Sequence, residues 1–210
     1  MTEFYNYKYK EDWIRNHEKN EELKEKTQWE LNMLWSEKVW FVRETIQKNY
    51  FHTEYYGWCD IGYFRNEYDN TPICKLSHWA NSYKISRLSK DHIHYSIVNN
   101  DVSFINELYC VIKDKNEFGL PKTEIPAEQT SVAGGFFILH KSWIYTWCYL
   151  YDEKLQLYFK HRYLVKDDQM IIIDCIVSNR ELFYLHREEN YYDERCIIYD
   201  NWFMFQRILS

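Results

Sequence analysis

Three short stretches carry residue types that could do chemistry. They are Trp58-Cys59-Asp60-Ile61-Gly62-Tyr63-Phe64-Arg65, Ser131-Val132-Ala133-Gly134-Gly135-Phe136-Phe137 and Lys166-Asp167-Asp168-Gln169. In the first, Asp60 closes an aromatic run. A carboxylate at a strand end can hold a hard divalent cation such as Mg²⁺ or Mn²⁺, which in turn neutralises a diphosphate. Gly62 would let a ligand or another backbone come close, and the Arg65 guanidinium could fork onto a phosphate or carboxylate. Without those roles the stretch is a strand and turn with a surface arginine. In the second stretch the small residues Ala133, Gly134 and Gly135 open room beside a strand for a substrate, or simply pack tightly. In the third, Asp167 has the place of a helix N-cap, where an acidic group also complements the helix dipole. Asp168 and Gln169, if aimed at the same strand ends, could grip sugar hydroxyls or act as a base.

Other candidates carry less. His92 and His94 alternate on one expected strand, but no third ligand stands at a telling spacing. The basic stretch from Lys84 to Lys90 reads as a solvated helix face. There is no P-loop, G-x-G-x-x-G, G-x-S-x-G or H-E-x-x-H motif, which weighs against kinase, nicotinamide-enzyme, serine hydrolase and zincin readings.

The elements that must position these residues follow from periodicity. Residues 1–27 are dense in charge and poor in apolar residues, and predict an exposed helix or a loosely held arm. Between Gln28 and Lys48, Trp29, Leu31, Leu34, Trp35, Val39, Val42 and Ile46 recur near helical spacing, with Asn49 as the stop. Strands are expected over Tyr55–Asp60, His92–Val98, Val132–Leu139, Glu181–Leu185 and Cys196–Phe205. Helices are expected over 77–90, 101–112, 141–160 and 168–177, and loops over Asn66–Lys75 and Phe118–Glu128. Strands alternating with helices predict an α/β fold with a mainly parallel sheet. In such sheets ligands bind beyond the carboxyl ends of the strands.

Composition limits the classes. The chain has 210 residues, 26 basic against 32 acidic, and a net charge of −6. That balance argues against nucleic acid as a partner, which would need a basic face. Aromatics make up 20% of the residues, too many for a disordered chain. They imply large buried rings, or grooves that stack on sugars and bases. The six cysteines form no C-x-x-C pair and mostly sit among apolar neighbours, so reduced buried thiols and a cytoplasmic protein are expected. No secretory signal core opens the sequence. The apolar stretch 129–151 carries Lys141 at its centre and a Gly-Gly pair, and fits a strand and a helix better than a membrane span.

Taken in order, these motifs resemble the HtrL/YibB family of glycosyltransferase-like proteins. That family has a helix bearing W-x-x-K, here Trp35 and Lys38. An aromatic strand ending W-x-D-x-G-x-x-R follows, here Trp58, Asp60, Gly62 and Arg65. Then come a G-G-F-F strand (Gly134 to Phe137), a Trp-bearing helix (Trp143) and a D-Q pair (Asp168-Gln169). The match spans about residues 28 to 185.

The resemblance implies a GT-A-like mixed sheet flanked by helices over 28–210, with residues 1–27 outside it. It implies a nucleotide-sugar donor (UDP- or GDP-sugar), a glycan or other hydroxyl acceptor, and a divalent metal. Lys38, Trp58, Asp60, Gly62 and Arg65 would bind the donor. Ala133, Gly134 and Gly135 would line the sugar pocket. Asp168, with Gln169, would position the acceptor or act as base. Asp60 and, late in the chain, His186 would hold the metal. The sequence departs from the D-x-D pattern of such enzymes, because position 62 is glycine. The opening β-α units of that fold are also expected to be missing. The chain alone should then bind nucleotide poorly and associate with itself or a partner that completes the sheet. The alternative is a carbohydrate- or partner-binding domain that lacks turnover.

Overall fold

The computed structural model describes residues 3–64, 77–187 and 200–210. Arg65, the whole expected loop 66–75 with Cys74, and Cys196 lie outside the described residues. Four strands form one sheet: β1 (Tyr55–Cys59), β2 (Ile93–Ser96), β3 (Phe136–His140) and β4 (Phe183–His186), in the order β1-β3-β2-β4. The expectation of a mainly parallel sheet is corrected here. β3 runs antiparallel to both of its neighbours, and only β2 and β4 pair in parallel. Hydrophobic patterning marks where a strand lies but not which way it points. One reversed strand in the middle therefore changes the sheet class without changing the pattern.

The helices are α1 (Lys10–Glu18), α2 (Trp29–Ser36), α3 (Lys38–Gln47), α4 (Ser82–Ser86), α5 (Val102–Lys113), α6 (Ile144–Lys160), α7 (Asp168–Ser178) and α8 (Met204–Ile208). One sheet face carries Tyr56, Phe137, Ile93, Tyr95 and Phe183 into a core shared with α3, α6 and α7. Tyr95 stacks on Phe137 at 5.4 Å, and Trp147 of α6 meets Phe183 edge-on at 5.1 Å. The other face carries Phe136 and Ile138 into a smaller cluster with Phe205 and Ile208 of α8. α7 is the deepest helix: Ile171, Ile173 and Cys175 are fully buried. An 11-residue stretch this apolar fits a core helix touched on several sides.

Several expectations change in detail. The helix from Gln28 to Lys48 is two helices that break at Glu37. The Glu37 carboxylate is buried and accepts hydrogen bonds from Tyr5 N (2.7 Å), Asn6 N (3.0 Å) and Asn6 Nδ2 (2.8 Å). Asn49 ends α3 with a φ of 50°, a left-handed conformation that asparagine tolerates. The expected helix over 77–90 is confined to α4. The end of the expected strand Cys196–Phe205 is a 3₁₀ turn (Asn201–Phe203) leading into α8.

The N-terminal segment is docked rather than loose. A 3₁₀ turn (Tyr5–Tyr9) and α1 place Trp13 fully buried, edge-on to Phe159 at 4.8 Å. Tyr5 stacks on Trp40 at 4.5 Å. Cys148 and Cys175 are buried free thiols as expected, but Cys59 and Cys110 are exposed. Among the described residues no helix is long and apolar enough to cross a membrane.

Candidate functional site

Because β3 alone is reversed, its start lies at the same edge of the sheet as the ends of β1, β2 and β4. Beside the β1–β3 part of that edge is a cleft of about 1020 Å³. That is at the upper end of small-molecule sites, roughly 300–1,000 Å³. Into it come Trp35 and Lys38 from the α2–α3 break, and Trp58, Asp60 and Gly62 from the end of β1 and its turn. Gly134 and Gly135 come from the start of β3, and Asp168 and Gln169 from the first turn of α7.

Lys38 sits at the centre. Its Nζ donates to Gly134 O at 2.9 Å and to Asp60 Oδ2 at 3.4 Å, and ion-pairs with Asp168 Oδ2 at 3.1 Å. Trp58 Nε1 donates to Asp60 Oδ1. Burial works against the Lys38 ammonium, but the Asp168 and Asp60 carboxylates outweigh it and raise its pKa. Burial pushes the Asp168 carboxyl up to about 6, against the opposing pull of Lys38. The two carboxylates differ in access: the Asp60 side chain is 41% exposed and that of Asp168 5%.

The glycine pair makes this convergence possible. A Cβ on Gly134 would stand 3.0 Å from both Asp168 carboxylate oxygens, and one on Gly135 would stand 3.3 Å from Asp60 Oδ2. The backbone passes between the two acids only because it carries no side chain there. Asp167 caps α7 through Gln169 N at 3.1 Å and pairs with Lys166 at 3.1 Å, so its bland structural role is filled.

The loop that delivers Asp168 is held by asparagines. Asn16 Nδ2 donates to Val165 O at 2.7 Å, and Val165 N donates back to Asn16 Oδ1 at 2.9 Å. Asn20 Nδ2 reaches Lys166 O at 3.0 Å, and Asn32 Nδ2 reaches the same oxygen at 2.8 Å. Sequence reasoning missed these residues, together with Leu23, Lys26, Trp202 and Phe203 of the cleft wall. The signal available was the i, i+4 spacing of Asn16 and Asn20 beside Trp13, inside a segment read as solvated.

Two expected site residues, Ala133 and His186, stand elsewhere. Arg65 lies outside the described residues. Ala133 is fully buried, its N–H bonded to Ser96 O at 3.0 Å, and does not line the cleft. His186, expected to ligate metal, is buried on the face covered by α8, its ring 5.1 Å from Phe205. Its Nε2 is 3.0 Å from His94 Nδ1. His94 Nε2 lies 2.9 Å from Ser89 O, which can only accept, so that nitrogen carries the proton and His186 Nε2–H donates to His94 Nδ1. Burial, then the neighbouring His94, lowers the His186 pKa to about 3. β4 is separated from β1 by two strands, roughly 14 Å at the usual spacing. Among the described residues no group of three or more His, Cys, Asp and Glu could hold a metal ion.

Comparison of the chain with protein-family models, with curated proteins and with solved structures finds no match.

Proposed function

We propose that the cleft binds a nucleoside diphosphate sugar and transfers its sugar to an acceptor hydroxyl. The observation that carries this reading is the meeting of Lys38, Asp60 and Asp168 above the Gly134-Gly135 backbone, between the walls of Trp35, Trp58 and Trp202. Carboxylates that accept hydroxyl hydrogen bonds, flanked by flat aromatic surfaces, suit a sugar. Asp60, the accessible carboxylate, grips donor hydroxyls. Lys26 and Lys166 on the cleft wall face the diphosphate. The acceptor oxygen attacks the anomeric carbon, the bond to the diphosphate breaks, and the nucleoside diphosphate leaves with the electron pair. The hydroxyl proton passes to Asp168, whose pKa near 6 keeps it mostly ionised at neutral pH yet basic enough to help.

Thermal melting against UDP, GDP and their sugars tests the reading. A ligand at 100 times its Kd adds about 2.7 kcal/mol, readily visible as a rise in Tm. No shift with any nucleoside diphosphate at millimolar concentration would rule out the donor.

A second reading is a carbohydrate-binding domain without turnover. The 5% exposure of the Asp168 side chain favours it, because a base must reach its proton. Binding of free sugars with no binding of UDP or GDP selects this second reading.

A further inference from the structure

We propose that the Lys38 ammonium takes the place in this cleft that a divalent cation would take, so that ligand binding here needs no metal. The proposal rests on the glycosyl-transfer reading only for the expectation that a metal belongs at such a site. Among the described residues the donor set argues against a metal ion. Both Asp60 oxygens are already engaged, Oδ1 by Trp58 Nε1 and Oδ2 by Lys38 Nζ, so a cation would compete with both donors. Position 62 is glycine, so no second carboxylate follows on the same turn. Asp168 already pairs with Lys38, and His186, on β4 at the opposite edge of the sheet from β1, pairs with His94.

The ammonium, by contrast, is surrounded as a bound ion would be. Two carboxylates and one backbone carbonyl, Gly134 O at 2.9 Å, lie within 3.4 Å of Nζ. Lys38 is 6% exposed and is the first residue of α3, immediately after the break at Glu37, so its stem is fixed at its base. A cation entering between Asp60 and Asp168 would meet this charge at about the same distance, in surroundings where like charges repel strongly. An ammonium on a side chain is present at full occupancy and cannot be removed by a chelator.

The metal alone is the probe. The whole chain is titrated with Mn²⁺, following free Mn²⁺ by electron paramagnetic resonance and heat by calorimetry, for wild type, Lys38→Ala, Asp60→Asn and the double variant. Wild type is expected to take up no stoichiometric Mn²⁺. Lys38→Ala leaves two carboxylates facing each other and is expected to bind one Mn²⁺ at least ~tenfold more tightly than wild type, an affinity lost in the double variant. One equivalent of Mn²⁺ bound by wild type and released by Asp60→Asn overturns the proposal. So does a folded Lys38→Ala that binds Mn²⁺ no better than wild type. If Lys38→Ala fails to fold by circular dichroism, the wild-type and Asp60→Asn titrations decide alone. Failure of UDP and GDP to bind at all ends the donor reading but leaves these titrations unaffected.

Discussion

Asp168 and Gly134 form a matched pair, and each predicts something the other can check. The Asp168 carboxyl titrates near 6 in the folded chain and near 4 unfolded. Between those values the folded protein binds the extra proton, so this group's contribution to stability falls as pH rises through the window. The melting temperature of Asp168→Asn relative to wild type should therefore rise from about pH 4 to about pH 7. A constant difference would mean the carboxyl is not perturbed. On the proposed reading sugar transfer needs the ionised form, so it should fall as pH drops below about 6 and be abolished in Asp168→Asn. Gly134→Ala forces a methyl against both Asp168 oxygens. Overpacking of this kind costs ~1–3 kcal/mol, and ligand affinity should drop with it. Unchanged binding in a folded Gly134→Ala would separate the glycine from the site. At this scale the sequence was informative where residue type is itself unusual: an acid closing an aromatic strand, a glycine pair opening another, an acidic pair at a helix start. Lys38 carried no such mark, since a lysine on a helix is ordinary, and only the resemblance singled it out.

Elements were legible where periodicity was strong, and their joints were not. β1, α5, α6 and α7 stand close to where spacing put them. The break at Glu37 was invisible because the helical pattern continues across it. Its cause is the buried hydrogen bonds that Tyr5 and Asn6 make to the carboxylate, from residues about 31 positions away. Removing such a partner leaves buried donors unsatisfied at ~1–3 kcal/mol. Glu37→Ala should therefore lower stability by that order and loosen residues 3–9 first, measured as faster amide exchange there. Asn16→Ala should do the same for Val165, whose N–H donates to that side chain and whose C=O is shared between Asn16 and Asn32. It should also shift the pH dependence of ligand binding, because the Val165–Lys166 loop delivers Asp168. A stability loss with an unmoved pH profile would make Asn16 a purely structural residue. The direction of β3 is a further joint the sequence hid: nothing in Phe136–His140 distinguishes a strand that runs one way from one that runs the other.

For the molecule as a whole, the charge-rich segment before residue 28 is where reading by composition failed most. High charge predicts solvent, yet Trp13 is fully buried and Asn6, Asn16 and Asn20 are buried with it. The charges lie on the faces left over, and a polar segment docks by satisfying backbone groups as much as by burying rings. Trp13→Ala should cost ~3–5 kcal/mol, seen as a lower midpoint in urea with unchanged slope. A loss under 1 kcal/mol would mean that α1 is only loosely attached. The same docking sets an order of events in time. Asn16 meets Val165 across 149 positions, and Asn20 meets Lys166 across 146. Closing a loop of that length is entropically expensive and cannot precede synthesis of its far end. During translation α1 therefore waits, undocked, while β1, β2, β3 and α6 are made. Pulse-labelled exchange during refolding should show protection at Val165 after protection in β2 and β3. The setting of Asp168 then matures late, and a ribosome-bound chain that has made only β1, β2 and β3 is still without a finished cleft.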